Sequence, residues 1–266
     1  MEFLLPLLAK MAITAVVIVT ASVAAERAGP LVGAAIVSLP ISAGPGYVFL
    51  AFRASDQFIA ESALYTLTGN AAGVCFVTGV ALLAPRHSVV PTILAPTLLW
   101  LLLAAAFRQF DLDWWQAIAI NAAAIIGSFA ILKSRPLHFQ SSGRKVGPRD
   151  LMYRALLSGG LIAAVVTVSD AIGPVATGLA IIYPVALTTL ALIIYLRHGG
   201  GSAAAVMAQT PKSLIGFGGF ALTLHLLAEP VGAVLALLAG LAVSIAWALW
   251  MARGVWWRRP PSAGDA

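Results

Sequence analysis

Residues 209–219 read QTPKSLIGFGG, and the order Gln209, Thr210, Pro211, Lys212, Ser213 could build an anion site. Threonine is a good N-cap and proline is favoured at the first helical position, so this order predicts a helix start. Proline also lacks an N–H and biases the residue before it away from helical angles. The free N–H groups of a helix start carry about half a positive charge, to which the Lys212 ammonium would add. Together they would bind a carboxylate or phosphate group.

Such a site matters because of what surrounds it. The chain has 266 residues, of which 61% are hydrophobic and 10% charged, with a mean hydropathy of +0.96. Soluble domains run at about 45–50% apolar and about 25% charged. The composition therefore predicts an all-α, polytopic helical membrane protein. The apolar runs are continuous rather than alternating, which excludes a β-barrel. The net charge of +6 gathers in short loops and at the C-terminus. That is a topology signal and not a nucleic-acid footprint.

Runs of about 20 apolar residues cross a bilayer. They predict nine spans, at 4–25, 31–52, 57–84, 89–107, 114–132, 151–169, 174–196, 202–228 and 231–252. The N-terminal stretch has the length of a signal peptide, but Glu2 and Lys10 and the lack of a basic opening favour a first span. The connections are short, so the chain reads as one membrane domain. Residues 1–132 form its first part, 133–150 a basic linker and 151–266 the second part with a basic tail. The linker, KSRPLHFQSSGRKVGPRD, is placed in the cytoplasm by the positive-inside rule. The C-terminus then falls inside and the N-terminus outside, as in a multi-pass protein of the plasma (inner) membrane. Arg53 alone runs against the trend. Trp114 and Trp115 mark one interface, and Trp250, Trp256 and Trp257 the other.

Under the offset of 144 residues, ERAGPLVGAAIVSLP (26–40) lies over DAIGPVATGLAIIYP (170–184). Gly29-Pro30 matches Gly173-Pro174, Pro40 matches Pro184, and Arg53 matches Arg197. The interval holds an odd number of spans, so the two copies would have opposite polarity. Five spans would stand in the first copy and four in the second, with a tenth helix missing. Inverted repeats of this kind recur in secondary transporters, where discontinuous helices build a site at the bilayer midplane.

Polar and helix-breaking residues inside the spans mark that site. Lys212 lies about 15 Å from the inner end of its span at 1.5 Å per residue. An unpaired charge there costs from about 2.5 to well over 10 kcal/mol. The same offset sets Thr66, Thr68 and Asn70 against Thr210, Lys212 and Leu214. Ser42 and Gly44 lie in the segment LPISAGPGY, which cannot form a regular helix, and Tyr183-Pro184 and Thr188 lie in its counterpart. Breaks are thus expected in the second, third, seventh and eighth spans. Substrate-binding candidates are Lys212, Thr210, Gln209, Ser213, Thr66, Thr68, Asn70, Ser42, Gly44, Tyr183 and Thr188. Glu26, Glu61 and Asp170 are candidates for coupling, because a buried carboxylate can take up a proton within a transport cycle.

Blander readings stand beside these. Proline and glycine serve packing in membrane helices. Lys212 could pair with Glu26, Glu61 or Asp170, or could lie at an interface if its span begins near Ser213. Asn121 is suited to bonding across helices. Cys75, the one cysteine, forbids a disulfide or a Cys-based metal site, and His87, His138, His198 and His225 have no metal-ligand spacing. No cofactor is implied.

The expectation is a small secondary active transporter for a small anionic solute, coupled to protons or sodium. Alternatives are a protein that flips or recycles a phospho-lipid, or a membrane assembly protein. An intramembrane enzyme is disfavoured by the scattered histidines and the lack of a GxSxG or HExxH motif. Partners are thus a solute and membrane lipid, not nucleic acid.

Overall fold

The computed structural model describes residues 12–14, 16, 20, 39–41, 43–133 and 147–256. Its helices are α1 Ala43–Ala51, α2 Asp56–Leu83, α3 Val89–Phe107, α4 Trp114–Lys133, α5 Pro148–Ile181, α6 Val185–Val231 and α7 Ala233–Trp256. No strand occurs among the described residues. Six stretches are long and apolar enough to cross a membrane: Asp56–Leu83, Val89–Phe107, Trp114–Lys133, Ala163–Leu196, His198–Val231 and Ala233–Met251. The architecture is that of an all-helical, multi-pass membrane protein. The spans expected at 57–84, 89–107 and 114–132 agree with α2, α3 and α4 to within a residue. Most of the span at 4–25, the start of 31–52 and most of the basic linker lie outside the described residues, as do Glu26 and Ser42.

Serines and glycines punctuate the chain. Ser55 caps α2, its Oγ accepting from the Phe58 N–H at 3.2 Å. Gly173, Gly199 and Gly232 have φ of 76°, 80° and 87°. Each lets one helix stop and the next begin without a loop, in backbone angles that side chains resist.

The central helix is α2, buried along most of its length from Ile59 to Ala81. It runs antiparallel to residues 200–231 of α6. Asp56, at its start, accepts from the Ala233 N–H at 2.9 Å, and the Ala60 carbonyl meets His225 Nδ1 at 2.8 Å. At its far end Gly200 lies against the Ala84 carbonyl, and Gly178 likewise abuts the Ser62 carbonyl, approaches that a Cβ would block. Small residues at such contacts let membrane helices pack backbone to backbone.

α4 lies against this pair. Its Asn121 accepts from Asn70 Nδ2 at 2.8 Å and donates to the Leu67 carbonyl, and Ser128 bonds Thr78 at 2.7 Å. This is the cross-helix role expected of Asn121. On another face of α2, α3 places Pro96 against Gly79. Trp114 and Trp115 are exposed at the start of α4, and Trp250 is exposed on α7.

Two expected breaks do not occur. α2 is helical through Thr66, Thr68 and Asn70, and α6 is helical through Thr210, Pro211 and Lys212. The hydroxyls that would cap a new helix instead bond their own preceding turns, Thr68 to the Leu64 carbonyl at 3.0 Å and Thr210 to the Val206 carbonyl at 3.1 Å. Pro211 then removes one backbone bond, which membrane helices tolerate when neighbours re-satisfy the freed group. Among the described residues, turns occur instead at 39–41, just before α1, and at 182–184, between α5 and α6.

Candidate functional site

The two turns are built alike. At the first, the Ile41 N–H donates to the Leu39 carbonyl at 2.8 Å, closing a three-residue turn around Pro40, and the Gly44 N–H donates to the Pro40 carbonyl at 2.6 Å. At the second, the Val185 N–H donates to the Tyr183 carbonyl at 2.8 Å around Pro184, and the Thr188 N–H donates to the Pro184 carbonyl at 2.8 Å. Pro184 has φ −80° and ψ 50°, near the inverse γ-turn. The proline ring fixes φ at about −65° and donates nothing, so each turn ends in a fresh helix start, at Ala43 and at Val185. The residues flanking the second turn, 174–181 and 185–198, extend about 12 and 21 Å at 1.5 Å per residue. The turn therefore lies inside the depth of a hydrocarbon core of about 30 Å.

Around the turns the side chains form two groups. In the first, Tyr47 Oη and Thr66 Oγ1 lie 2.6 Å apart, and Thr66 donates to the Gly178 carbonyl at 2.8 Å. This chain ties α1 to α2 and α2 to the short helical piece before the second turn. Phe220 stacks edge-on to Tyr47 at 6.2 Å. In the second group, Tyr183 meets Trp100 of α3 edge-on, with ring centroids 5.0 Å apart. Thr188 stands in the first turn of α6. On α2, Gly69 lies against Ile182, so the second turn rests on this helix.

Several buried polar atoms here have no partner: Ser62 Oγ, Asn70 Oδ1, Trp100 Nε1 and Thr188 Oγ1. Burying such a group unpaired costs about 1–3 kcal/mol, and orphans of this kind concentrate where a ligand or water completes them.

Of the residues expected to bind solute, the structure brings Thr66, Tyr183 and Thr188 to the turns, with Asn70 adjoining on α2. Gly44 stands in the first turn of α1, beside Pro40. Thr68, Thr210 and Ser213 are buried within helices. Lys212 and Gln209 are not part of the group. Both are exposed on the outside of the bundle, where Lys212 Nζ reaches Gln209 Oε1 at 3.3 Å. The face of α6 that carries them is held to α7, with Trp247 Nε1 donating to the Lys212 carbonyl at 2.9 Å. With no helix start at Pro211, the role foreseen for Lys212 loses its structural premise. Asp170 is exposed and pairs with Arg53 at 3.5 Å, which gives Arg53, the residue against the charge trend, a partner. Glu61 is half-buried on α2.

Trp100 was missed in the sequence, although one signal was present. A tryptophan twelve residues into a span, far from either interfacial belt, carries an N–H that lipid cannot satisfy.

No protein family, no curated protein and no solved structure matches this chain.

Proposed function

We propose that the chain is a small secondary active transporter that moves a small anionic solute by alternating access between two inverted halves. The observation that carries this reading is the identity of the two proline turns, with the same pair of backbone bonds 144 residues apart. The same interval relates other junctions. Thr92 N–H donates to Ser88 O at 3.3 Å and Ala236 N–H to Gly232 O at 3.1 Å. α2 and α3 begin at Asp56 and Val89, and their counterparts at Gly200 and Ala233. α2 and its counterpart run antiparallel, as opposite polarity requires. α4 stands outside the correspondence. In this reading α4 is the extra helix of the first copy.

Two helix starts buried at membrane depth favour an anion. At Val185 the N–H groups of Ala186 and Leu187 have no acceptor within the helix, and the helix dipole adds positive potential at both starts. Two near-equivalent halves can exchange conformations and so open such a site to each side in turn. In this reading the basic linker lies in the cytoplasm of a plasma (inner) membrane protein, and Glu61 is the candidate for proton or sodium coupling.

The test is uptake by proteoliposomes of the purified full chain. Labelled small carboxylates should accumulate above equilibrium under an imposed proton or sodium gradient. Equal entry into protein-free vesicles under both gradients would count against transport.

A further inference from the structure

We propose that the second proline turn holds the carboxylate group of a monoanionic organic acid, with Trp100 Nε1 and Thr188 Oγ1 as its side-chain donors; this rests on the transport reading and assigns its solute class. The first observation is the helix start at Val185, where the N–H groups of Ala186 and Leu187 lie beyond the reach of intrahelical acceptors. The second is independent of it. Trp100 is 4% exposed, its indole N–H is without a partner, and its ring meets Tyr183, the residue before Pro184. The third is the orphaned hydroxyl of Thr188 in the same first turn.

There is also room. Gly69 is in contact with Ile182, whereas Gly73, one turn further along the same face of α2, is buried yet has no atom within 4 Å of where a Cβ would stand. No neighbouring helix closes on α2 at Gly73, one turn beyond the residue that meets Ile182.

The site belongs to one turn only. The positions 144 residues away from Tyr183, Thr188 and Trp100 hold Leu39, Gly44 and Ser244. Leu39 and Gly44 offer no side-chain donor, and the Ser244 hydroxyl donates to the Gly216 carbonyl at 3.0 Å. The first turn can mirror the backbone but cannot supply this set.

The donors also select the charge. All are neutral, and Lys212 is turned to the outer surface. A helix start worth about half a charge with a few neutral donors suits a single negative charge. A phosphate dianion buried there would need a fixed cation beside it.

The experiment uses the full chain in detergent, titrated with acetate, propanoate, benzoate and inorganic phosphate while thermal stability and tryptophan emission are followed. At least one of the three carboxylates should raise the melting temperature and change the emission, and phosphate should do neither at the same concentration. Trp100→Phe keeps the ring but loses the N–H, and Thr188→Val keeps the shape but loses the hydroxyl. Each should weaken carboxylate binding about tenfold or more, as loss of a hydrogen bond to a charged group implies. Gly73→Leu should fill the space and abolish binding. Should Trp100→Phe not elute as a single species, Thr188→Val decides alone. Binding unchanged in a well-folded variant, phosphate binding as tight as carboxylate binding, or no carboxylate binding would each overturn the assignment. The two readings separate: transport of another solute without carboxylate binding removes this inference alone, whereas carboxylate binding without uptake removes only transport.

Discussion

Asn70 donates through Nδ2 to the main-chain carbonyl of Leu214 at 3.0 Å, and the two residues are 144 positions apart. Under the proposed inverted repeat the two are counterparts, and such a contact would lie close to the axis relating the halves. The same amide reaches Asn121 on α4, so three helices meet at this bond. Asn70→Leu is expected to remove both contacts and to leave Asn121 Oδ1 without its donor, lowering stability by about 1–2 kcal/mol. Thermal unfolding in detergent would show this as a clear loss. Thr210→Val, which removes only a bond within its own turn, should change little.

The glycine contacts make a sharper prediction about packing. Gly200→Ala would drive a methyl group into the Ala84 carbonyl and Gly178→Ala one into that of Ser62, whereas a Cβ at Gly201 meets nothing within 4 Å. Gly200→Ala and Gly178→Ala should each destabilise by about 1–3 kcal/mol, the usual range for overpacking. Gly201→Ala should be neutral, and the same unfolding assay compares all three.

Pro40, Pro184 and Pro211 should behave differently. Pro40→Ala and Pro184→Ala relax turns from which helices start, and uptake should fall at least tenfold while the protein still elutes as a single species. Pro211→Ala restores a backbone bond inside an unbroken helix and should leave uptake intact. Loss of uptake in Pro211→Ala alone would return the anion site to α6.

Lys212 offers the matching test from the outside. Lys212→Leu removes an ammonium from an exposed face at membrane depth, where charge is costly. Carboxylate binding should stay within about twofold of wild type, with thermal stability unchanged or raised. Complete loss of binding would place Lys212 in the site.

Much of the fold was legible because bilayer thickness ties apolar length to span length. α3 was delimited to the residue and α2 and α4 to within one. Pro40 and Pro184 were legible too, since proline fixes φ wherever it stands. The reading of Thr210-Pro211-Lys212 went astray because a cap residue and a proline announce a helix start only when the chain upstream is not already helical. Here Thr210 bonds back to Val206, and the preceding turn continues through it. Lys212 drew attention as a charge, but a helix presents each residue in a direction set by its neighbours. In α6 the side packed against the rest of the bundle takes Phe217, Phe220 and Leu224 and leaves Lys212 outside. Trp100 and Gly73 escaped notice because their importance lies in an absent partner and an empty volume, neither of which a sequence displays.

The most direct test of the account asks whether the second proline turn meets water on both sides of the membrane. In a chain with Cys75 replaced by alanine, Thr188→Cys would be treated with a membrane-impermeant maleimide in vesicles of each orientation. Labelling from both faces is the predicted result. Labelling from one face only, or from neither, would contradict alternating access at this turn.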